Sequence, residues 1–397
     1  MVKALEGTRI LECGRGFAVG LVGTMFGDMG AEVIRYEEPG TGDPLRYAYP
    51  PLIKGIGAEF LWSARNKKSI TLRLETGQGQ EIFKRLVEIS DVVTENFAPG
   101  TMGGWGLSYE NLKRINPGII MLSITPYGQR GPYVHRPATD ETLQAHSGLM
   151  SISGDPDGPA VLYGVPIVDI MGGFQGIYAA LSALFYKGIS GQGQWIDISL
   201  FEAAAYCQEY KLLHYTKLGE LFWRVGSRWV PMCRSYTAKD GDVFIMSGAG
   251  LRGAIIFEVI GREDVLKDPR WPENPFKPLD EDVLLEFDAI IDEWVKSKTV
   301  SEIVDICVSR KVIAAPVCNV AQMVNDPQYI ARNALVEVDH PVAGKLKFQG
   351  IAANLSLTPG RVDTPAPLLG EHNNYVYGNL LKYSKEEISK MSENGVI

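Results

Sequence analysis

The chain has 397 residues, of which 45% are hydrophobic and 22% are charged, a composition close to the soluble globular average. Disordered, collagen-like and coiled-coil proteins are thereby excluded, and the length suggests roughly two to three domains. The net charge of −8 gives no general attraction for nucleic acid or anionic membranes, so an anionic ligand requires a local basic pocket. No apolar run approaches the ~20 residues of a membrane span and no secretory signal is visible, so we expect a cytoplasmic protein.

Signatures of several common enzyme classes are missing from the sequence. There is no Walker GxxxxGKS/T loop, no HExxH pair and no GxSxG elbow, which removes the usual supports for ATP, zinc and serine hydrolase chemistry. The histidines are dispersed and the cysteines form no CxxC pair, so we predict reduced thiols and no metal site. The five cysteines are Cys13, Cys207, Cys233, Cys307 and Cys318.

Strand and helix patterns alternate over the first 125 residues. Residues 17–29 are a mixture of apolar residues and glycine long enough for a helix, and an apolar stripe at helical spacing predicts a second helix at residues 79–89. Because strands separated by helices pair in parallel, this order predicts a doubly wound α/β sheet. Five short apolar runs predict its strands, at residues 9–13, 32–36, 69–74, 91–94 and 118–124.

The next part of the chain is mainly helical up to about residue 213. Gly172 and Gly173 are expected to break this pattern just after Asp169, and residues 177–185 predict a buried helix. A further strand is predicted at residues 195–198, after a glycine-rich turn.

A second, smaller unit follows an aromatic and basic stretch at residues 223–233, which we interpret as a linker. Its predicted elements are a strand at 242–247, a helix at 281–295 and a helix capped by Thr299 with Glu302. After residue 327 the pattern is typical of strand and loop. A last helix is predicted where Ser384 and Glu387 form a second capping box.

One glycine-rich motif has the form GxGxxG and comprises Gly248, Ala249, Gly250 and Gly253. It follows a strand and precedes an apolar helix, the local context of a dinucleotide fingerprint. No second strand follows to complete the βαβ unit, so a nicotinamide oxidoreductase stays only as an alternative. A glycine loop can also close over a reacting centre, because glycine absorbs large backbone changes.

Several polar residues lie at predicted strand ends or within apolar stretches. Glu95 and Asn96 end an apolar strand, where α/β folds present ligand-binding groups. Asp169 lies inside an apolar stretch, and a lone aspartate there is commonly a helix cap or a structural hydrogen-bond acceptor. The glycines behind Asp169 favour a second interpretation, because they allow close approach of a ligand or of a neighbouring backbone.

The order and spacing of short motifs along the whole chain resemble the class III CoA-transferases, the group of formyl-CoA transferase and carnitine CoA-transferase. The matching motifs are GAEVI at 30–34, Gly42-Asp43 with Arg46, RNKKSI at 65–70, ENFAPG at 95–100, GLSYE at 106–110, Asn116-Pro117, YGQRGP at 127–132, residues 144–148, Asp169 with Gly172-Gly173, GQGQ at 191–194, SLFE at 199–202, LGEH at 369–372 and GVI at 395–397.

The resemblance implies a nucleophilic role for Asp169. Its carboxylate would attack an acyl-CoA carbonyl, and an aspartyl-CoA thioester would carry the CoA to an acceptor acid. Thioester exchange needs no ATP and no permanently bound cofactor, with acyl-CoA and coenzyme A entering as substrates. We expect the pKa of Asp169 to stay low, since the nucleophile must be ionised at neutral pH. Gly248, Ala249 and Gly250 match in position the family's loop that shields the intermediates.

The resemblance also assigns residues that bind CoA. Asp140 matches an acidic residue near the active site of the family. Two basic positions of formyl-CoA transferase are Glu38 and Glu75 here, while Arg35, Arg73 and Arg136 lie nearby. Arg46 or Lys68 are the further cations expected to compensate at the phosphates. The residues at or beside the family's CoA-binding positions are Gly16, Phe17, Ala18, Leu72, Arg73, Asn96 and Arg136.

For the fold, the resemblance implies a large doubly wound, Rossmann-like domain formed by residues 1–225 and 326–397. A small α+β domain of residues 226–325 would be inserted between them. Family members form interlocked dimers, so a homodimer is expected, and a heteromer with a related subunit is the alternative. The implied reaction moves CoA from a donor such as succinyl-CoA to a carboxylic acid.

A related racemase activity is the nearest alternative inside the superfamily. The α-methylacyl-CoA racemases have a histidine in a Gly-His-Asp triplet, where it exchanges the α-proton. The matching residues here are Ala138, Thr139 and Asp140. A threonine hydroxyl is too weakly acidic and basic for that proton transfer, which favours the transferase.

Overall fold

The computed structural model describes residues 2–47, 50–230, 232–247, 251–271 and 280–397. The chain divides into two compact units. The first unit contains Met1–Leu149, Leu162–Lys217 and Gln328–Ile397, and the second contains Met150–Val161 and Leu218–Pro327. The domain boundaries that the sequence predicts after residues 225 and 325 stay a prediction.

A parallel six-stranded sheet forms the centre of the first unit, in the order β5-β2-β1-β6-β7-β8. All five strand pairs are parallel, which confirms the predicted α/β class. The order of the strands reverses between β1 and β6, and ligands of such sheets bind in the crevice at this switch point. The strands of this part are β1 (Arg9–Glu12), β2 (Glu32–Glu37), β3 (Leu52–Ile53), β4 (Ile56–Gly57), β5 (Lys67–Thr71), β6 (Val92–Glu95), β7 (Ile120–Thr125) and β8 (Trp195–Ser199), of which β3 and β4 form a separate hairpin.

One predicted strand is displaced. The sequence predicts residues 69–74, whereas β5 is Lys67–Thr71. The strand begins earlier because Glu12 neutralises the buried Lys67 ammonium, so a charged residue enters the sheet. Beyond β5, the side chains of Leu72 and Leu74 turn into the hydrophobic core.

Helices cover the sheet on both faces, which gives two separate hydrophobic cores in this unit. One core includes β-strand residues with Phe83 and Leu86, and the other packs Val19 and Phe26 against Ala180. The helices are α1 (Phe17–Asp28), α2 (Ala58–Ser63), α3 (Gly77–Glu88), α4 (Thr101–Gly104), α5 (Tyr109–Ile115), α6 (Asp140–His146), α7 (Ile167–Ser190), α8 (Leu200–Ala205) and α9 (Lys211–Leu218).

The helix α7 runs without a break through Gly172 and Gly173, so the predicted interruption is wrong. A Cβ atom at Gly172 would lie 2.2 Å from Leu200 Cδ2, and one at Gly173 would lie 3.2 Å from the Ala18 carbonyl oxygen. The glycines therefore let α7 approach α8 and the first turn of α1 closely. Of the two predicted reasons for glycine here, close approach of a neighbouring backbone is the one the structure shows.

One face of α7 is apolar and exposed, which corrects the prediction of a buried helix at residues 177–185. Tyr178 is 74% exposed, Phe185 is 75% exposed and Ile189 is 73% exposed. Among the described residues, α7 is also the one helix long and apolar enough to cross a membrane by length and composition alone. Its opposite face packs against the sheet, as a core helix of a globular domain does.

The second unit is built on an antiparallel sheet with the order β12-β11-β10-β9. Its core lies between this sheet and the helices, and Asp288 accepts hydrogen bonds from Arg234 and from the Tyr236 hydroxyl inside it. The predicted capping box of Thr299 and Glu302 is confirmed. The elements are β9 (Arg228–Val230), β10 (Cys233–Thr237), β11 (Asp242–Met246), α10 (Leu251–Val259), α11 (Glu281–Lys296), α12 (Val300–Ser309), β12 (Ile313–Pro316) and α13 (Val320–Met323).

The C-terminal part returns to the first unit and contains more helix than predicted. It begins with α14 (Pro327–Ala331), and a hairpin of β13 (Leu335–His340) and β14 (Gly344–Gln349) follows. A π-helix spans Asn374–Leu380, and α15 (Lys385–Glu393) begins at the predicted Ser384 cap. The end of the chain packs into the core beside α3.

Candidate active site

The carboxylate of Asp169 lies in the first turn of α7, where helix geometry leaves backbone N–H groups without partners. The residue before the helix is Pro166, which has no capping side chain. Asp140, the first residue of α6, performs this function from outside. Its Oδ2 accepts hydrogen bonds from the N–H of Val168 at 2.8 Å and of Asp169 at 2.9 Å. The structure therefore brings the two predicted acidic residues together, because the Asp140 carboxylate accepts a hydrogen bond from the backbone N–H of Asp169.

Gln144 holds Asp140 from its other side. The Gln144 side-chain amide donates to Asp140 Oδ1, and its Oε1 accepts from the N–H of Tyr163 at 3.0 Å. Gln144 is 1% exposed and Asp140 is 7% exposed. The two side chains thus form a buried polar chain between α6, the segment before α7 and Asp169.

The pKa of Asp169 is raised to about 7, which corrects the sequence-based expectation of a low value. Burial is the largest cause, followed by the negative charges of Asp140, Glu59 and Glu141. Among the described residues, no side chain donates a hydrogen bond to the Asp169 carboxylate. The helix N-terminus favours a negative charge there, but desolvation and three neighbouring carboxylates outweigh it.

Glu59 is a functional candidate that the sequence analysis did not identify. It lies in the first turn of α2, is partly buried, and forms no hydrogen bond or ion pair within the described part of the chain. Burial and the charge of Asp43 raise its pKa. No local sequence signal distinguishes Glu59 from a solvated glutamate, because its proximity to Asp169 depends on the packing of α2 and α7 around α1.

The loop between β1 and α1 is held by the predicted Asn96. Its Oδ1 accepts from the Arg15 N–H at 2.9 Å, and its Nδ2 donates to the Arg15 carbonyl oxygen at 2.6 Å. Asn96 directly follows β6, and β6 pairs with β1, so this contact lies at the switch point of the sheet. Both backbone groups of Arg15 are thereby fixed at the place where ligands of this fold bind.

The first turn of α1 contains three of the predicted CoA-binding residues. Gly16 has a φ of 78°, a left-handed conformation that glycine adopts without strain. The ring of Phe17 stacks on that of Trp62, with centroids 5.4 Å apart and planes 4° apart. Ala18 is buried, and its carbonyl oxygen faces Gly173, one turn beyond Asp169. These residues therefore lie beside the helix that carries the candidate nucleophile.

Among the predicted cations, Arg35 and Arg46 are not available to a phosphate. Arg35 is 1% exposed and pairs with both Glu12 and Asp43, and Arg46 forms two hydrogen bonds to Glu37. These ion pairs neutralise the charges of Glu12, Arg35 and Glu37, which explains how the central sheet can contain these buried charged residues. Lys68 is only partly exposed and pairs with Glu32 at 3.3 Å, so it is partly engaged as well.

The other predicted CoA-binding residues are arranged differently from one another. Arg136 is exposed and lies over the ring of Tyr133, with 5.3 Å between the guanidinium carbon and the centroid. The Arg73 side chain is 43% exposed and its Nε lies 3.3 Å from Glu38. The Leu72 side chain is fully buried in the core, and its N–H donates to the Glu37 carbonyl oxygen at 3.0 Å. Gly248, Ala249 and Gly250 lie outside the described residues.

A cavity of about 220 Å³ lies where β6 and β7 end. Glu95 lines it, is 3% exposed and has a raised pKa, because burial outweighs its hydrogen bonds with Ser123 and with the Phe97 N–H. Trp195 also lines the cavity and donates to Ser123 at 3.0 Å. The prediction that Glu95 and Asn96 end a strand is confirmed.

No group of three or more His, Cys, Asp or Glu residues is arranged to hold a metal ion in the described ranges. The three acidic residues around Asp169, which are Asp140, Glu59 and Glu141, raise its pKa.

The fold and the site define an α/β protein with a candidate carboxylate nucleophile beside the switch point of a doubly wound sheet. The sequence profile of CoA-transferase family III matches residues 5–373. The chain is 33% identical to the succinyl-CoA–D-citramalate CoA-transferase of Chloroflexus aurantiacus, over 100% of this chain and 98% of that protein. It is 32% identical to the succinyl-CoA–L-malate CoA-transferase beta subunit of the same organism, covering 99% and 98%.

Structural comparison agrees with the sequence comparison. The crystal structure of a CaiB/BaiF family protein from Brucella suis matches with a TM-score of 0.85 and 30% identity, over 96% of this chain and 100% of that one. The chain belongs to CoA-transferase family III. It is a CoA-transferase that moves CoA from an acyl-CoA donor to a carboxylic acid acceptor.

Proposed function

We propose that this enzyme transfers CoA from succinyl-CoA to a small carboxylic acid through a thioester on Asp169. The observation that carries the proposal is the Asp169 carboxylate itself, which lies in the first turn of α7, one turn before Gly173 where that helix approaches Ala18 of α1, and accepts no side-chain hydrogen bond within the described residues. Both relatives named above are succinyl-CoA-dependent by name, and their acceptors are hydroxy diacids. These names support a donor and an acceptor class of the same kind here.

The chemistry consists of four acyl transfers that balance without an oxidant or a metal. An Asp169 oxygen attacks the succinyl thioester carbonyl, the C–S bond breaks, and CoA leaves as the thiolate. The thiolate then attacks the Asp169 carbonyl of the mixed anhydride, which releases succinate and leaves an aspartyl-CoA thioester. The acceptor carboxylate repeats the two steps in reverse order, and Asp169 is regenerated as a carboxylate.

The raised pKa of Asp169 has a defined place in this scheme. A carboxylate with a pKa of about 7 is a stronger nucleophile when ionised than one with an ordinary pKa, and about half of it is ionised at neutral pH. Asp140 receives the two N–H groups and Gln144, so it stays engaged on the backbone. We therefore assign Asp140 to positioning Asp169 and not to proton transfer.

The remaining assignments follow from position. We propose that the residues around the α1 turn, with Asn96 fixing the loop, receive CoA, and that Arg73 and Arg136 meet its phosphates.

We also propose a homodimer, as expected for this family. The exposed apolar face of α7 supports it, since Tyr178, Phe185 and Ile189 form a stripe that a second copy would cover. Light scattering after size exclusion would distinguish a dimer from a monomer of 43.6 kDa.

The decisive experiment is peptide mass spectrometry after incubation with succinyl-CoA, with hydroxylamine added to trap the acyl-enzyme. The expected result is a CoA thioester or a hydroxamate on the peptide that contains Asp169. Asp169→Asn should give no adduct, and Asp157→Asn, at an exposed position, should label like the unmodified enzyme. Turnover by an enzyme that never carries an adduct on Asp169 would overturn the proposal.

A further inference from the structure

The side chain of Gln144 is buried between α6 and the segment that leads into α7. The proposed reaction needs these two segments to keep a fixed position relative to each other. The Gln144 side chain is 1% exposed in α6, and its partners lie on Asp140 and on the segment that leads into α7. Its Nε2 also lies 3.4 Å from the carbonyl oxygen of Val165. Every polar atom of this amide is therefore directed at a specific partner.

The partners fix the orientation of the amide. Its oxygen accepts from the Tyr163 N–H, which can only donate, and its nitrogen donates to the Asp140 carboxylate, which can only accept. Rotating the amide by 180° would place its oxygen against the Asp140 carboxylate and its nitrogen against the Tyr163 N–H. Because the Gln144 side chain is 1% exposed, such an arrangement would leave the buried amide oxygen and nitrogen unsatisfied.

We propose that Gln144 is a positioning residue for the transfer reaction, which locks Asp140 onto the backbone of Asp169 and thereby sets the nucleophile in place. The proposal rests on the acyl-transfer chemistry of Asp169 proposed above. Three hydrogen bonds connect the Tyr163 N–H, Gln144, Asp140 and the Asp169 N–H into one chain. A nucleophile displaced by a fraction of an ångström loses attack geometry, so the chain acts on the rate of acyl transfer.

The test compares three variants in the full-length enzyme. Gln144→Leu removes both hydrogen bonds at similar volume, Gln144→Glu keeps the shape, and Gln192→Leu is the control at an exposed glutamine. Loading of Asp169 by saturating succinyl-CoA should slow by roughly 10- to 100-fold in Gln144→Leu. The control should load at the normal rate.

The pH dependence of Gln144→Glu separates positioning from a loss of stability. The protonated carboxylic acid of this variant can donate to Asp140 and accept from Tyr163, as the glutamine amide does, but its ionised form repels Asp140. Relative to the unmodified enzyme, Gln144→Glu should therefore load best at low pH and lose its relative rate as the pH rises. A constant ratio across the pH range would overturn the proposal.

A double-mutant cycle with Asp140→Asn tests whether Gln144 acts through Asp140. Gln144→Leu should cost less than about threefold in the Asp140→Asn background, because coupled residues are not additive. Fully additive effects would overturn the proposal.

Amide hydrogen exchange of the ligand-free enzyme supplies a readout that is independent of the chemistry. Residues 163–169 should exchange at least about tenfold faster in Gln144→Leu than in the control. Unchanged exchange overturns the role of Gln144, whereas faster exchange in an enzyme whose Asp169 never loads overturns only the acyl-transfer mechanism.

Discussion

Two groups of buried or partly buried carboxylates in the first unit differ in their partners. Around β1, β2 and β5, Glu12 and Asp43 share Arg35, and Glu12 also binds Lys67 at 2.8 Å. Around the start of α7, the second group consists of Asp169, Asp140 and Glu59. None of these three carboxylates pairs with a lysine, arginine or histidine among the described residues. The first group is neutralised by ion pairs, whereas the second group, around the proposed nucleophile, has no such neutralising partner among the described residues.

The pKa values show the consequence of this difference. Burial alone would raise the pKa of Glu37 beside the first group, yet its hydrogen bond with Arg46 and the charge of Arg35 lower it. For Asp169 no cation in the described part of the chain supplies such compensation, so burial and like charges both raise the pKa to about 7. Neutralised charges stabilise the scaffold, and uncompensated ones raise the pKa of the proposed nucleophile.

Removal of the proposed nucleophile should give the largest effect. Asp169→Ala should reduce exchange by roughly 10⁴-fold or more, because the covalent route needs this oxygen. Circular dichroism and thermal melting should show a folded protein, since the side chain makes no hydrogen bond that holds other elements within the described residues. Near-normal turnover in a folded variant would contradict the mechanism.

Breaking the neutralised group should destabilise the fold instead. Glu12→Gln leaves Arg35 and Lys67 without their shared carboxylate and should lower the free energy of unfolding by about 3–5 kcal/mol. Glu81→Gln is the matched control, because its pair with Lys84 is exposed and should contribute less than about 1 kcal/mol. Urea unfolding measures both free energies of unfolding. An equal decrease in the two variants would show that burial of the ion pair does not matter here.

The pH dependence of loading should report the uncompensated group. Because Asp169 must be ionised to attack, the loading rate at low succinyl-CoA should fall by roughly tenfold per pH unit below 7 and level off above it. An ordinary aspartate would give a flat profile between about pH 5.5 and 8. Stopped-flow or quenched-flow loading at several pH values, in one buffer series of constant ionic strength, measures this.

The same shift predicts a gain in stability on neutralising Asp169. The pKa rises from an ordinary 3.8 to about 7 in the folded state, so ionisation opposes folding increasingly as the pH rises from about 4 to 7. Asp169→Asn removes this cost and should stabilise the protein by about 1–3 kcal/mol at about pH 8, after allowance for partial exposure. The gain should shrink towards about pH 5, which thermal melts at the two pH values would show.

A smaller change tests the neighbouring glutamate. Glu59→Gln removes one of the charges that raise the pKa of Asp169, so the midpoint of the loading profile should move to lower pH by less than about one unit. Glu110→Gln, at an exposed position on α5, is the control and should leave the midpoint unchanged. A shift to higher pH would contradict the assigned electrostatic role.

The sequence by itself determined the α/β class, the family resemblance and the position of Asp169 as a candidate nucleophile. Strands such as β1 and caps such as Thr299 are encoded locally, because apolar runs and capping boxes act over a few residues. The same is true of the strand that ends at Glu95. These features can be predicted without knowledge of the tertiary contacts.

Only the tertiary structure decided the environment of the site. Helix α7 continues through Gly172 and Gly173 because α1 and α8 approach there, and local propensity cannot include such contacts. Arg35 is engaged by Glu12 and Asp43, whose carboxylates come from other parts of the chain. The raised pKa of Asp169 has the same origin, since burial and through-space charges depend on distances between segments that are remote in sequence.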